Sequence, residues 1–493
     1  MRSLVEMLKK YWPLITIVVV FVLIRLLTIP YHGIVTWDAV VYVGMGKYLF
    51  SHGMVGTWEA LRPVGLPIIL GAFWKLGIDP YQAGVALSML ISAAMIALVY
   101  RWAEDVQEGA GNIAALLLAG SVIFFNYSAL PVTDIISTFF AVLSLWLVYR
   151  ATTNTRYLIA GITVGVALLF RFPQGLLLVV GGLVIITKLF LDRPPSFTTV
   201  RTMARQRRKK WSVRLHQCIE NSFSFAGGFF LVVVPLLIIN YHFYGNAFLP
   251  FIEGNAVVQL YPSLYQKGIL FYVVQLFQQD PFFITAFIPM TLLVNKKYRT
   301  LGVIALTIAL VIVAGYFTHQ AHKELRYALA FLPYLVILSA IGIVYVLEYW
   351  KLPQLLFFGL FIIAAYLVGA GLLVHSYKNP EAPALYDFNT YLKHVPHARI
   401  MATTPNSMIY SDILLTHNLY DDWNYAYLAY GMYKSSTDYM VLNSCDLEIG
   451  CADNTHCMDK KQALLAELDK QDTKVFSETT PKQCVLEIYK LKH

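Results

Sequence analysis

Apolar runs of about twenty residues recur between Trp12 and His375, and no other feature limits the possible fold so strongly. Each run has about the length that crosses a bilayer as one helix. The charge content agrees. Of 493 residues, 58% are hydrophobic and 14% are charged, where a soluble domain carries about 25% charged residues. The mean hydropathy is +0.58. A single soluble core and a disordered chain are both excluded, because disorder needs low hydrophobicity. A polytopic membrane protein remains.

Composition changes near residue 378. Residues 1–377 hold 27 Lys/Arg and 14 Asp/Glu, whereas residues 378–493 hold 11 and 15. The expected organisation is therefore a membrane domain, 1–377, and a soluble domain, 378–493. Within the first, residues 31–80 form an outer loop and an interfacial helix. The expected spans are 12–30, 81–101, 111–130, 134–150, 157–171, 173–190, 223–241, 281–295, 300–317, 327–349 and 353–375. The run 12–30 could be a signal peptide, but no small-residue cleavage pattern follows it, so it is taken as an uncleaved span. The stretch 64–76 is short and carries Pro67 and Lys75, which suits a helix lying at the interface.

Sidedness follows from the basic residues. With the N-terminus cytoplasmic, the eleven spans put 19 Lys/Arg on that side, including nine between Lys188 and Arg214. A crossing at 64–76 would move Arg201–Arg214 outside and break the rule. The C-terminal domain is then extracytoplasmic. The run Arg205–Lys210 reads as a topology determinant touching anionic lipid rather than a nucleic-acid site. Cys218 falls on the cytoplasmic side, while Cys445, Cys451, Cys457 and Cys484 all fall in the outer domain. An even set in an oxidising compartment suggests two disulfides with three possible pairings. Zinc is the rival, but the five-residue gaps do not match its usual ligand pairs.

The outer domain reads as small α/β. Helices are expected at 384–394, 407–415 and 459–471, and strands at 398–403, 439–442 and 485–491. The segment 420–427, Tyr-Asp-Asp-Trp-Asn-Tyr-Ala-Tyr, is either a sugar-stacking surface or a buried aromatic cluster.

Polar residues on the outer side of the membrane part carry the functional signal, since ionisable groups at span ends are costly to hold. The acids there are Asp38, Glu59, Asp79, Asp134, Glu253, Asp280 and Glu324. Asp38, in Thr36-Trp-Asp-Ala-Val-Val-Tyr42, could accept a proton from a hydroxyl or cap a helix. Arg62, in Leu61-Arg-Pro63, could bind a phosphate through its planar fork or reach lipid headgroups. Asp134 opens the fourth span and could simply cap it. His319-Gln-Ala-His-Lys-Glu-Leu-Arg-Tyr327 crowds His322, Lys323, Glu324 and Arg326 into one short outer loop. Cations on that side need a reason, and a bound lipid-linked phosphate supplies one. An ion pair is the alternative, and a zinc site from His319 and His322 a weaker one. Arg171 is a further outer-face cation. Asn126-Tyr-Ser128 is a glycosylation sequon at the end of an apolar span, a poor place for its use. No phosphate-binding glycine loop, nucleophile elbow or HExxH motif occurs.

These residues together resemble the GT-C membrane glycosyltransferases, which include the protein O-mannosyltransferases, the lipid A aminoarabinose transferases and the dolichyl-phosphate-mannose-dependent mannosyltransferases. Asp38 matches the family's first-loop acid, Arg62-Pro63 stands where relatives have Lys-Pro, and Asp134 matches the acid after the third span. His322-Lys-Glu-Leu-Arg-Tyr327 is similar to the HKExRF loop of the mannosyltransferases. Ala160-Gly-Ile-Thr-Val-Gly165 through Arg171 is similar to the family's glycine-rich span pair. Departures are Ala39 and Val40 after Asp38, which argue against a metal-binding Asp-x-Asp, arginine for lysine at 62, and tyrosine for phenylalanine at 327.

The resemblance implies an all-α GT-C-like membrane protein with about eleven transmembrane helices and a small C-terminal α/β domain. It implies transfer of a sugar, mannose being one choice, from a polyprenyl-phosphate donor to a lipid, glycan or protein hydroxyl. Asp38 would be the base. Arg62, His322, Lys323 and Arg326 would hold the donor phosphate, with Asp134, Arg171 and Glu324 in support. No metal or other cofactor is expected, nor any nucleic acid. The location expected is a prokaryotic cell membrane, or the endoplasmic reticulum if the source is eukaryotic. A transporter or flippase of an anionic or lipid-linked solute is the alternative. It needs ionisable groups near the midplane, where Arg25 is the main candidate. An inactive binding subunit is a third possibility.

Overall fold

A computed structural model describes residues 2–28, 36–191, 200–258, 266–295, 299–353, 382–419, 422–448 and 455–493. The expected span 353–375 thus lies almost wholly outside the described residues, as do Cys451, Tyr420 and Asp421.

The chain is mostly helical. Its membrane part contains α1 (Arg2–Leu27), α2 (Trp37–Phe50), α3 (Gly65–Lys75), α4 (Pro80–Val106), α5 (Ala110–Gly120), α6 (Val122–Tyr127), α7 (Thr133–Arg150), α8 (Asn154–Phe170), α9 (Leu177–Leu191), α10 (Val200–Tyr244), α11 (Leu249–Val258), α12 (Phe271–Gln279), α13 (Phe287–Leu292), α14 (Leu301–His319) and α15 (Leu332–Tyr349). Among the described residues six helices are long and apolar enough to cross a membrane. Four other expected spans appear as shorter apolar helices, as does α3. The expected span 111–130 is split, because Ser121 adopts an extended backbone between α5 and α6. The basic stretch Arg201–Arg214, which lies between two expected spans, is helical and continues into the apolar part of α10, which runs for 45 residues.

Local chemistry sets the helix ends. Asp79 caps α4 by accepting from the Tyr81 and Gln82 amides, and Pro80 follows at the first helical position. The glycines at 161 and 165 let α8 approach α10 closely. A Cβ at Gly161 would stand 1.9 Å from the Phe225 carbonyl oxygen, so only glycine permits this approach. Arg25 is used structurally near the end of α1. Its guanidinium donates to the Asn126 carbonyl and the Thr28 hydroxyl and rests on Phe125.

The C-terminal part is a five-stranded sheet of β1 (Arg399–Ala402), β2 (Leu414–Asn418), β3 (Tyr439–Asn443), β4 (Thr473–Thr479) and β5 (Val485–Lys490), in the order β2-β1-β3-β5-β4. The first three are mutually parallel, and β5 runs antiparallel to β3 and β4. Alternation along the strands sends side chains to two cores. Ile400, Ala402, Val441 and Ile488 meet Phe388, Met408 and Val40 of α2. Met401, Met440, Leu442 and Tyr489 meet Trp423, Ala426, Tyr430 and Leu464. The helix expected at 407–415 is one turn, Ser407–Tyr410, followed by β2. Trp423 is buried and Tyr425 and Tyr427 pack against the same cluster, so the described part of the aromatic stretch serves the core. Cys445 pairs with Cys484, and Cys457 is also disulfide-bonded.

The two parts dock through the start of the membrane domain. Gly56, in the loop between α2 and α3, bridges the edge of β2. Its amide donates to the Ile413 carbonyl at 2.7 Å and its carbonyl accepts from Leu415 at 2.9 Å.

Candidate functional site

The site assembles from three segments that are distant in sequence. Asp38 lies in the first turn of α2, where a carboxylate favours the helix dipole. It is not the N-cap; Thr36 holds that position, so the capping alternative does not apply. Arg62 comes from the turn before α3. His322 to Tyr327 leave the end of α14 and enter a 3-10 turn at Leu325–Ala330.

The Asp38 carboxylate is clasped from both sides. One oxygen is 2.6 Å from Arg62 Nη1, and the other receives Arg326 Nη1. Each guanidinium has a second acid at its back. Arg62 Nε donates to Glu59 at 2.6 Å. Arg326 faces both oxygens of Glu324, at 2.8 and 2.9 Å. Glu324 also accepts from His322 Nε2 at 2.6 Å and from the Tyr327 hydroxyl at 3.2 Å. The result is one chain of alternating charge: Glu59, Arg62, Asp38, Arg326, Glu324. Three carboxylates against two guanidiniums give these five side chains a formal charge of −1.

Burial and charge oppose each other here. Burial alone raises a carboxyl pKa. The two guanidiniums outweigh it and hold Asp38 well below the usual carboxylate range. Glu324 is also held below that range, since its bond from His322 and the Arg326 charge outweigh burial. Burial lowers an arginine, but Asp38 and the flanking glutamates raise Arg62 and Arg326 instead. The chain remains reachable, with side-chain exposure of 19% at Asp38 and 26% at Glu324.

Of the other expected residues, Asp134 and Arg171 pair with each other beside this chain. Asp134 lies in the first turn of α7 without being its N-cap, which is Val132. Arg171 stacks on Tyr327, its guanidinium carbon 4.7 Å from the ring centre; Arg326 lies over the same ring at 5.5 Å. The two ion pairs thus share one aromatic ring. Lys323 is buried, and its ammonium donates to the Gln320 carbonyl at 2.7 Å rather than to the acid chain. Glu59 appears in the sequence only as one of several outer acids, yet it closes one end of the chain. Its position three residues before Arg62 is the signal that could have found it. Tyr42, whose ring lies under Arg62, is a second addition.

Residues 62–201 match the family described as Dolichyl-phosphate-mannose-protein mannosyltransferase. No curated protein matches the chain in sequence. Solved structures match nearly all of it in fold. ArnT from Cupriavidus metallidurans, bound to undecaprenyl phosphate, superimposes with a TM-score of 0.66 at 13% identity, covering 96% of this chain and 97% of that one. The oligosaccharyltransferase AglB from Archaeoglobus fulgidus, in complex with an inhibitory peptide and a dolichol-phosphate, gives 0.55 at 14% identity, covering 97% and 74%. The arabinofuranosyltransferase AftD from Mycobacteria gives 0.50 at 13%, covering 98% and 40%. The fold is that of the GT-C glycosyltransferases.

Proposed function

We propose that this chain transfers a sugar from a polyprenyl-phosphate donor to an acceptor hydroxyl, with Asp38 as general base. The observation that carries the reading is a reachable carboxylate clasped by two guanidiniums from two different loops. Polyprenyl phosphates in two structures of the same fold support the donor class. The family matched by residues 62–201 makes mannose the first sugar to try. The acceptor is a lipid, glycan or protein. The charge bias puts the reaction on the face opposite the cytoplasmic loops.

The acceptor hydroxyl gives its proton to an Asp38 oxygen while its own oxygen attacks the anomeric carbon. The bond from that carbon to the phosphate oxygen breaks, and its electron pair stays with the phosphate. The leaving polyprenyl phosphate gains a negative charge, which Arg62 and Arg326 meet. Direct displacement inverts the anomeric centre. Two fixed cations supply the charge stabilisation, so the step needs no metal. His322 steadies Glu324 and through it Arg326. Lys323 contributes to the phosphate only if its ammonium leaves the Gln320 carbonyl.

The same geometry makes donor and base compete. A phosphate fits the guanidinium forks that now hold carboxylates. As it takes them, Asp38 loses part of its clasp, and its basicity rises toward that of an ordinary carboxylate. The base is weak in the empty site and stronger once the donor is in place.

The test is release of free polyprenyl phosphate from a labelled polyprenyl-phosphate sugar by purified protein, native against Asp38→Asn. The expected result is acceptor-dependent release that falls about 10²- to 10⁴-fold in the variant. Release that the variant leaves unchanged would remove Asp38 from the chemistry. No release with any sugar or acceptor would turn the reading toward transport, with flux into liposomes as the next measurement.

A further inference from the structure

The helices that present Asp38 and Arg62 are tied together at their far ends by one residue of the C-terminal domain. Asp412, in the loop leading into β2, has an oxygen 3.0 Å from the Lys47 ammonium of α2. The same oxygen accepts from the Trp74 indole of α3 at 3.1 Å. Lys47 has only 4% of its side chain exposed, and its ammonium also donates to the Met408 and Ser411 carbonyls. Among the described residues, the hydrogen bonds and the ion pair of this buried cation all go to the C-terminal domain. The Gly56 bridge to Ile413 and Leu415 fastens the loop between the two helices to the same segment.

The near ends lie about 13 Å away, nine residues at about 1.5 Å each along either helix. Beside the latch the helices touch without slack, and toward the site Tyr42 and Met45 of α2 share a buried core with Leu66 and Leu70 of α3. A Cβ at Gly46 would stand 2.7 Å from the Gly71 amide nitrogen, and one at Gly71 would stand 2.4 Å from the Gly46 carbonyl oxygen. Residues 39–47 of α2 are buried without interruption. A pair of helices in contact along its length, pinned at one end, holds its other end in place.

We infer that Asp412 is a positioning residue for the site: by holding Lys47 and Trp74 it fixes how far Asp38 stands from Arg62. The inference rests on the proposed role of those two residues, but the latch can be read without turnover. Asp412 is itself 45% exposed, and Lys47 keeps the Met408 and Ser411 carbonyls, so Asp412→Asn changes the charge of the latch while keeping its shape.

The experiment is hydrogen exchange on the full-length protein in detergent, alongside donor turnover, for native, Asp412→Asn and Asp412→Glu. In Asp412→Asn, exchange should rise at the near ends, including the amides of Val40 and Arg62, which bond to Thr36 and Glu59. Donor kcat/KM should fall roughly ten- to a hundredfold, the scale expected when a catalytic group is misplaced by about 1 Å. Asp412→Glu should restore both. Lys47→Met, which removes the same contact from the other side, should reproduce the exchange pattern. Exchange confined to the surroundings of residues 47, 74 and 412, with the near ends unmoved, would overturn the inference. So would a glutamate that restores nothing. If the native protein turns over no donor while the near ends still respond, the transferase reading fails and the latch stands.

Discussion

Two acids open two neighbouring helices, and each finds arginine, yet they are built for different work. Asp134, at the start of α7, meets Arg171 alone, and its side chain is only 4% exposed. That pair is neutral and closed. Asp38, at the start of α2, is shared between two arginines, each with a second acid behind it. That chain is open, with a formal charge of −1. Neutralising a buried carboxylate with one cation makes a structural joint. A carboxylate divided between two cations is one with which an arriving anion can compete for both. Tyr327, whose ring is within reach of both Arg171 and Arg326, connects joint and chain.

The contrast can be broken most sharply at the joint. Asp134→Ala removes the buried half of the pair and leaves Arg171 without its carboxylate, which should cost about 3–5 kcal/mol of stability. The double variant Asp134→Leu with Arg171→Met should recover much of that, as read by thermal unfolding in detergent. Asp38→Asn should destabilise less, because Arg62 keeps Glu59 and Arg326 keeps Glu324, and its larger loss should appear in rate. Equal destabilisation at both acids would erase the distinction. A smaller effect belongs to Arg62→Ala, which removes one of the two charged contacts proposed for the donor phosphate. It should cost about 1.5–3 kcal/mol in donor kcat/KM, roughly ten- to a hundredfold, with little change in unfolding temperature. The smallest effect is in the pH profile. Because Asp38 in the empty site is held below the ordinary range, it stays ionised from about pH 4 upward. Its share of stability is therefore complete above that pH and is lost only as the pH falls through its lower folded value. It should add no acid limb to kcat/KM between about pH 5 and 8. In kcat, with the phosphate sharing the arginines, an acid limb should appear at higher pH than in kcat/KM.

Much of this was legible in the sequence. Low charge and recurring apolar runs required a membrane bundle, and composition beyond residue 378 pointed to a separate α/β domain. Asp38, Arg62 and the loop 322–327 stood out because charge at a span end is costly. What the sequence hid was pairing. Nothing in the chain order shows that Asp38 meets Arg326, 288 residues away, or that Lys323 bonds a backbone carbonyl instead of facing the site. Glu59 was masked because its role depends on the turn that brings it behind Arg62. In the C-terminal domain β4, Thr-Lys-Val-Phe-Ser-Glu-Thr, was missed because an edge strand carries polar residues where a central one would not. The turn at 407–410 and β2 merged into one apolar stretch, which periodicity cannot divide.

The central claim is that Asp38 and the donor phosphate compete for Arg62 and Arg326. It is tested most directly by the affinity of polyprenyl phosphate for Asp38→Asn against the native protein, at matched ionic strength. An amide is a weaker partner for the guanidiniums than a carboxylate, so the account predicts tighter binding in the variant even as transfer collapses. Binding that weakens along with the rate would show that Asp38 helps to hold the lipid phosphate rather than contending with it, and would contradict the account.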